Sequence, residues 1–204
     1  MRRNQADTYE TVKRLLRVAR RHFAAHGYTA AALESIAAEA DLTRGALYHH
    51  FRSKKGLFAA VMDQVQQEVA DSVEREAKRG SEAWEQLRLG CAAFIRAAVA
   101  PNNRRIMLID GPAVLGWAAW RELDERHAMR HLGEHLQTMR ELGELPEVQL
   151  APMTHFLSGA LNEMTLWNAE HAERPEAMEE TMQMLGLFLE GFRMRMKAGR
   201  DGKE

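Results

Sequence analysis

Apolar side chains recur at steps of three and four residues along most of the chain, which is the pattern of amphipathic helices. In the first such segment, from Thr8 to Ala25, arginines fill the opposite face, and Gly27 follows as a helix-ending residue. The pattern predicts further helices at Ala32–Ala40, Arg44–Phe51, a segment capped by Ser53 and ending at Gly80, Glu82–Ala100, a short segment around Asn103–Ile109, Pro112–Leu142, Pro146–Ala172 and Pro175–Lys197. An all-α fold is therefore expected.

Composition excludes several classes of protein. The longest stretch without Asp, Glu, Lys or Arg, Val148–Asn162, contains polar residues and a proline, so we expect no membrane partner. The first ten residues lack the apolar segment of a signal peptide, which predicts a cytoplasmic protein. Cys91 is the only cysteine, so no intrachain disulfide is possible, and burial as a small apolar side chain is its simplest role.

Charge is distributed unevenly along the chain. Residues 1–56 hold 11 Lys and Arg against 5 Asp and Glu, although the formal net charge of all 204 residues is −1. A basic N-terminal part followed by an acidic remainder indicates that the N-terminal part binds a polyanion.

The basic part contains a helix-turn-helix pattern. Two short helices flank a tight turn at Asp41-Leu42, and Thr43 is a suitable N-cap for the second. On that helix Leu47 and Phe51 are four residues apart and face inward, whereas Arg44 and Tyr48 share the opposite face.

This exposed face is suited to double-stranded DNA. Arg44 can bind guanine O6 and N7 together, and Gly45 allows close approach of the backbone to DNA. Phosphate oxygens are suitable partners for Tyr48, His50 and Lys54. The predicted DNA-binding residues are Thr43, Arg44, Gly45, Tyr48, His49, His50, Lys54 and Lys55.

The arrangement resembles the tetracycline-repressor (TetR) family of bacterial regulators over residues 9–60. The matching positions are Gly27-Tyr28, Leu33-x-x-Ile36-Ala37-x-x-Ala40, Thr43-Arg44-Gly45-x-Leu47-Tyr48-x-His50-Phe51-x-Ser53-Lys54 and Leu57-Phe58. The chain departs from the family at Ala31, where threonine is frequent, at Asp41, where glycine is usual, and at Lys55, where an acidic residue is usual. At Ala31 the chain lacks the phosphate contact that this threonine makes in the family, and Thr29 is the residue that can replace it.

The expected architecture has two domains: a three-helix helix-turn-helix DNA-binding domain at 1–56, and a helical domain at 57–204 for effector binding and dimerisation. One such head contacts few base pairs, so we expect a homodimer on a palindromic operator. The interface is predicted at Phe156, Leu157, Ala160, Leu161, Met164, Leu185, Phe188, Leu189 and Phe192. Paired across a two-fold axis, these stripes would form a four-helix bundle, which the resemblance also implies.

The resemblance also implies an effector pocket among the helices between Glu82 and Ala172, whose occupancy pulls the fourth helix and separates the two heads. The predicted pocket residues are Phe94, Asp110, Trp117, Trp120, Phe156, Asn162, Glu163 and Trp167. The carboxylates among them have two interpretations. They cap helix ends or pair with an arginine such as Arg104 or Arg105, or one of them orients a mainly hydrophobic small molecule.

These features predict a ligand-released repressor without catalytic activity, cofactor or metal. Two alternatives stay open. His127, His131 and His135 recur every four residues, and adjacent pairs could chelate a metal in a metal-dependent enzyme, although no HExxH pattern accompanies them. The other alternative is an effector-independent DNA-binding protein with no cavity.

Overall fold

The computed structural model describes residues 5–145 and 148–201, and within these ranges the regular structure is helical throughout. The α-helices are α1 Gln5–Ala30, α2 Leu33–Glu39, α3 Arg44–Phe51, α4 Lys54–Ala77, α5 Ala83–Val99, α6 Pro101–Arg104, α7 Gly111–Leu115, α8 Trp117–Arg126, α9 Ala128–Glu141, α10 Leu150–Glu170 and α11 Ala177–Asp201. A π-helical segment, Arg105–Asp110, follows α6. The all-α prediction is confirmed. Among the described helices, none combines the length and apolarity that crossing a membrane requires.

The short helices lie close to where the sequence pattern predicted them. Helix α3 has the predicted bounds, because the Oγ1 of Thr43 accepts a hydrogen bond from the Ala46 amide at 3.1 Å and caps its first turn. The Oγ of Ser53 caps α4 in the same way, through the Gly56 amide at 3.0 Å. The predicted helix start at Pro146 lies outside the described residues.

The single helix predicted over Pro112–Leu142 is wrong, because the structure divides this stretch into α7, α8 and α9. Gly116 has a φ of 88° and a ψ of 154°, a conformation that glycine adopts without steric cost. His127, with a φ of −112° and a ψ of −103°, breaks the helix at the second boundary, between α8 and α9. Because the apolar residues keep helical spacing on both sides of Gly116 and His127, the sequence pattern does not reveal these breaks.

The chain forms two compact units. Unit 1 comprises residues 1–66 and 100–123, and unit 2 comprises residues 67–99 and 124–204. Unit 1 therefore contains, besides the helix-turn-helix, the first part of α4 and the stretch from α6 to most of α8. Helix α4 begins in unit 1 and ends in unit 2.

The core of unit 1 fixes the two helices of the helix-turn-helix motif. Phe23 and Phe58 are fully buried and meet edge to face, with ring centroids 5.1 Å apart, and the Tyr28 ring packs against both. Ile36 of α2 and Leu47 of α3 are also fully buried. Burial of each such side chain stabilises the fold by about 1.5–3 kcal/mol.

The core of unit 2 forms where α5, α9 and α10 contact one another and α11 packs against α5 and α10. Ile95, Leu136 and Met139 are fully buried there. Leu157 and Leu161 from α10 and Leu189 from α11 are buried to within a few per cent. This packing leaves the opposite faces of α10 and α11 exposed.

Candidate DNA-binding surface and ligand cavity

Helix α3 has one polar, exposed face, and a buried side chain on its opposite side holds the helix in place. Leu47 is fully buried, whereas Arg44, Gly45, Tyr48 and His49 are exposed. A Cβ atom placed on Gly45 would have the Thr43 Oγ1, 3.8 Å away, as its nearest neighbour, so the surface there is open. A large partner can therefore approach the backbone of α3 at its first turn.

Arg44 is held at the edge of this face by its neighbours. Its Nη1 lies 2.6 Å from a carboxylate oxygen of Glu34, and its Nη2 donates to the Tyr48 hydroxyl at 3.4 Å. The hydrogen bond with Tyr48 and the Glu34 carboxylate raise the pKa of Arg44 above its ordinary value. An ion pair this exposed to solvent contributes little to stability, so a DNA base or phosphate can displace Glu34 at little cost.

Basic side chains flank the face. The Nζ of Lys54 donates to the carbonyl oxygen of Thr29 at 3.0 Å and lies 4.8 Å from the centre of the Tyr28 ring. These contacts hold the ammonium group beside the last turn of α1. Lys55 is exposed, and His50 is half-buried with its ring 5.5 Å from that of His49. All eight predicted DNA-binding residues lie in one segment, residues 43–55, and their role in DNA binding stays a prediction.

The last turn of α1, which follows the non-helical Gly27 (φ 76°, ψ 170°), is held by residues that follow α5 in the sequence. The carboxylate of Asp110 accepts a hydrogen bond from the Tyr28 amide at 2.8 Å and lies 3.6 Å from Nε of Arg105. Nearby, Arg20 donates to the side-chain oxygen of Asn103 at 2.6 Å. All of these residues belong to unit 1, and Asp110 connects the π-helical segment to the end of α1.

Unit 2 contains a cavity of about 200 Å³. Its apolar lining comes from α5, α9 and α10 and includes Leu87, Cys91, Phe94, Met129, Leu132 and Leu161. Burial raises the pKa of the Cys91 thiol to about 12, so this side chain is an uncharged part of the wall. Exposed Glu74 and Lys78, near the end of α4, line the same cavity and mark its opening to the surface.

A polar corner interrupts the apolar wall. Asp124 is 1% exposed, and its Oδ2 accepts hydrogen bonds from Oγ of Ser158 at 3.1 Å and from Nδ2 of Asn162 at 3.4 Å. Asp124 and Ser158 line the cavity. Neither was predicted as a site residue, because Asp124 stands in the charged stretch "RELDERH", which is typical of a solvated helix face.

Comparison with known proteins assigns both halves of the chain. Residues 15–61 match the family described as "Bacterial regulatory proteins, tetR family", and residues 84–192 match "Tetracyclin repressor-like, C-terminal domain". The chain belongs to the TetR family. Proteins of the TetR family are DNA-binding transcription regulators and not enzymes, which confirms the prediction of a non-enzymatic regulator.

Solved and curated relatives agree with this assignment. The crystal structure of a TetR-family transcriptional regulator from Pectobacterium atrosepticum is 33% identical, covers 93% of this chain and 97% of its own, and superposes with a TM-score of 0.80. The HTH-type transcriptional regulator AcrR of Shigella flexneri is 29% identical over 52% of this chain and 50% of its own length. The probable acrEF/envCD operon repressor of Escherichia coli (strain K12) is 41% identical over 28% of this chain and 26% of its own. The matched region thus spans half or less of these two curated relatives.

The predicted pocket residues occupy several different places in this TetR-family chain. Phe94 lines the cavity, and Asn162 donates to the Asp124 carboxylate beside it. The other six are placed elsewhere: Asp110 binds the Tyr28 amide, Trp120 is buried and its Nε1 donates to the Met107 carbonyl at 2.8 Å, Trp117, Phe156 and Glu163 are exposed, and Trp167 is 36% exposed. For Asp110 the structure shows the pairing with Arg105 that was one of its two predicted interpretations.

The predicted interface residues fall into two groups. Leu157, Leu161, Leu185 and Leu189 are buried within the single chain, whereas Phe156 is 57% exposed, and Ala160, Met164, Phe188 and Phe192 are half-buried. Leu187 and Met184, which were not predicted, are 63% and 58% exposed on α11. A Cβ atom added at Gly159, Gly186 or Gly191 would meet nothing within 4 Å, so the surface around these glycines is open.

The histidine row is divided by the break between α8 and α9. His127 is buried at this break, while His131 and His135 line the cavity. A ring nitrogen of His135 lies 2.8 Å from the Ala83 carbonyl oxygen, and one of His131 lies 3.6 Å from Glu134. Within residues 5–145 and 148–201, no group of three or more His, Cys, Asp or Glu is placed to hold a metal ion.

Proposed function

We propose that this TetR-family protein is a homodimeric repressor that binds a palindromic operator and is released from it by a small hydrophobic ligand. The observation that carries the proposal is the exposed face of α3, where Arg44, Gly45 and Tyr48 stand above the buried anchor Leu47. The protein would act in the cytoplasm, where its operator is accessible.

The contacts with DNA divide into base contacts and phosphate contacts. Arg44 binds a guanine through O6 and N7, and exposed His49 lies where a second base edge would be. Phosphate oxygens accept hydrogen bonds from Thr43, Tyr48, His50, Lys54 and Lys55. Residues 1–56 act as the DNA-binding domain, and their excess of Lys and Arg supplies the non-specific part of the affinity.

Residues 57–204 provide dimerisation and effector binding. The exposed sides of α10 and α11, with Phe156, Leu187 and the open glycines, form the interface, and they continue the half-buried part of the predicted stripe. A two-fold pair of heads binds two half-sites separated by about one helical turn, roughly 34–36 Å, or a multiple of it.

Release depends on α4. This helix begins two residues after α3 ends, and Val73, Glu74 and Ala77 near its other end line the cavity of unit 2. A ligand in the cavity therefore contacts the same helix that follows the recognition helix. Operator affinity falls to the extent that the ligand binds the DNA-incompetent state more tightly than the competent one.

A DNase footprint on the promoter beside the protein's own gene tests this proposal. We expect one protected palindrome and little displacement by unrelated competitor DNA. Binding of equal strength to all DNA would instead identify an effector-independent DNA-binding protein. A footprint with no protection on any genomic fragment would contradict the operator-binding role itself.

A further inference from the structure

The π-helical segment Arg105–Asp110 contacts α1, the helix that precedes the helix-turn-helix. We propose that Trp120 is a positioning residue for DNA binding. Its indole keeps residues 105–110 in π-helical register, and this register places the Asp110 carboxylate on the Tyr28 amide at the end of α1. The role in DNA binding rests on the proposed function, whereas the contacts that lead from Trp120 to Tyr28 all lie within unit 1.

A hydrogen bond from the Trp120 indole replaces a backbone bond that the π-helical register removes. The Gly111 amide donates to the Ile106 carbonyl, five residues earlier, and not to the Met107 carbonyl, which it would reach in an α-helix. Pro112 stands where the next π-helical donor to Met107 would be, and it has no N–H. The Nε1 of Trp120 supplies the missing donor, 2.8 Å from the Met107 carbonyl oxygen. Because Met107 is fully buried, the π-helical register depends on this bond.

The absence of a side chain at Gly111 is a second condition for this register. A Cβ atom there would lie 2.9 Å from the Ile106 carbonyl oxygen and 3.0 Å from Cδ1 of Trp120. The first of these atoms is backbone and the second belongs to a buried ring, so neither can move away without disturbing the turn. Trp120 and Gly111 therefore close the π-helical turn together.

The register determines where the two ends of the segment lie. Arg105 and Asp110 are five residues apart, and in an α-helix with about 3.6 residues per turn such residues project to different sides. In the π-helical turn the Nε of Arg105 lies 3.6 Å from Oδ2 of Asp110. The same oxygen accepts a hydrogen bond from the Tyr28 amide at 2.8 Å. The Arg105 guanidinium also covers Gly27, where a Cβ atom would collide with it. Both ends of the segment therefore hold the end of α1.

The end of α1 in turn holds Lys54, one of the proposed phosphate contacts. Its Nζ donates to the Thr29 carbonyl at 3.0 Å and lies 4.8 Å from the centre of the Tyr28 ring. Loss of the π-helical register removes the Asp110 acceptor from the Tyr28 amide, and so loosens the two groups that hold this ammonium. A side chain whose position is less fixed loses more conformational entropy when it binds DNA, so the affinity falls.

Hydrogen exchange measured by NMR tests the positioning step on the full-length protein without DNA. Trp120→Phe retains an apolar ring but has no N–H, and we expect the Tyr28 amide to exchange about three- to tenfold faster, the size of one lost hydrogen bond. The Leu47 amide, which donates to the Thr43 carbonyl, should be unchanged. Trp117→Phe, at a ring 67% exposed on the same helix, is the matched control and should change neither amide. Equal acceleration of both amides in Trp120→Phe would mean a general loss of stability and would overturn the inference.

Operator binding tests the consequence for DNA recognition. Trp120→Phe and Asp110→Ala are each expected to weaken binding to the footprinted operator by about three- to tenfold in gel shifts. In the double variant the two losses should not add, because both substitutions interrupt the same series of contacts. Additive losses would mean that Trp120 does not act through Asp110, which contradicts the inference.

A second variant and the wild type decide the question if Trp120→Phe does not fold. Gly111→Ala introduces the two short contacts and is expected to accelerate exchange of the Tyr28 amide in the same way. Gly133→Ala, whose Cβ atom would have its nearest neighbours 3.7 Å away, is the matched control. In the wild type, the Trp120 indole N–H and the Tyr28 amide are expected to be protected, and rapid exchange of either would overturn the inference.

The two kinds of measurement distinguish failure of this inference from failure of the proposed function. Protection of the Trp120 indole and the Tyr28 amide in a protein that protects no operator would support the positioning of α1 and contradict the repressor role. Faster Tyr28 exchange in Trp120→Phe with unchanged operator affinity would contradict the role of Trp120 in DNA binding and leave the repressor role intact.

Discussion

At the scale of single residues, side chains on opposite sides of α3 have different roles. Leu47 is fully buried and holds the helix, whereas Arg44 and Tyr48 are exposed on the other side and contact each other through a hydrogen bond and a cation–π contact at 5.4 Å. The buried and the exposed side chains of α3 lie within the same eight residues but on opposite sides of the helix. A substitution on the exposed side can therefore change DNA binding without unfolding the domain.

Arg44→Ala is therefore expected to weaken operator binding by about 1–3 kcal/mol and to relax the preference at one base position, as for a lost bidentate contact with guanine. Lys54→Ala serves as its counterpart, since the loss of a phosphate contact weakens binding to all sequences and lowers the salt dependence. Gel shifts on the operator and on single-base variants of it, at several salt concentrations, distinguish the two effects. Unchanged affinity in Arg44→Ala would show that α3 is not the recognition helix.

The grouping of the candidate DNA-binding residues could be predicted from the sequence, whereas the polar corner of the cavity could not; their role in DNA binding stays a prediction. Positions 43–55 are close in sequence, so helical periodicity alone brings them to one face. Asp124 stands among charged neighbours, and it is buried because Ser158 and Asn162 of α10, more than 30 residues away, pack against it. No pattern of neighbouring residues in the sequence predicts that contact.

At the scale of helices, α3 depends on its cap. With eight residues it has few internal hydrogen bonds, so the bond from the Ala46 amide to Thr43 satisfies an important share of its free amides. The side chain of Lys54 then connects the start of α4 to the last turn of α1, through its contacts with Thr29 and Tyr28.

Thr43→Ala is expected to lower the free energy of unfolding by about 0.5–2 kcal/mol, the usual effect of a lost N-cap. Thr43→Ser keeps the hydroxyl and is the matched control, with a much smaller change. Urea unfolding followed by circular dichroism measures both variants. Equal stability of the alanine variant and the wild type would mean that the cap contributes nothing to the domain.

The π-helical segment gives a second prediction at this scale. The side chain of Asp110 is 16% exposed and accepts a hydrogen bond from the Tyr28 amide, so Asp110→Ala leaves a part-buried amide without a partner. We expect a loss of about 1–3 kcal/mol in unfolding free energy, together with weaker operator binding because the last turn of α1 loses its support. Asp110→Asn retains an acceptor oxygen and should fall between the two, in the same urea experiment and gel shift. A fully stable alanine variant would show that this contact does not support the turn.

Most helices were predictable because their spacing and caps are local properties. The breaks at Gly116 and His127 were not, since apolar residues continue in helical register on both sides of them. Trp120 shows what selects the broken arrangement: it is buried, and its indole nitrogen donates to the Met107 carbonyl, a contact with the preceding π-helical segment. For the break at Gly116, this packing within unit 1 selects the arrangement, and not the pattern of the helix itself; His127 lies in unit 2.

At the scale of the whole molecule, an operator-binding dimer needs an apolar surface that one chain leaves uncovered. Helices α10 and α11 have such a surface, with Phe156 and Leu187 more than half exposed and Gly159 and Gly191 open to close approach. Stable interfaces bury about 1,200–2,000 Å² in total, which two exposed helices from each chain can supply. Buried members of the predicted stripe, such as Leu189, pack inside the single chain, so in the proposed interface they only support the exposed residues.

The difference between buried and exposed residues on α11 decides which variant tests dimerisation. Leu189→Arg would place a charge in the core of the single chain and unfold it, so loss of the dimer would be uninformative. Leu187→Arg places the charge on the exposed side of α11, where a single chain tolerates it and a paired helix does not. We expect light scattering to give the mass of a monomer with helicity retained, and gel shifts to show loss of operator binding because one head contacts a single half-site. Leu142→Arg, at a residue 61% exposed just after α9, is the matched control and should remain dimeric. A Leu187→Arg variant that stays dimeric at the same concentration would remove the exposed side of α11 from the interface.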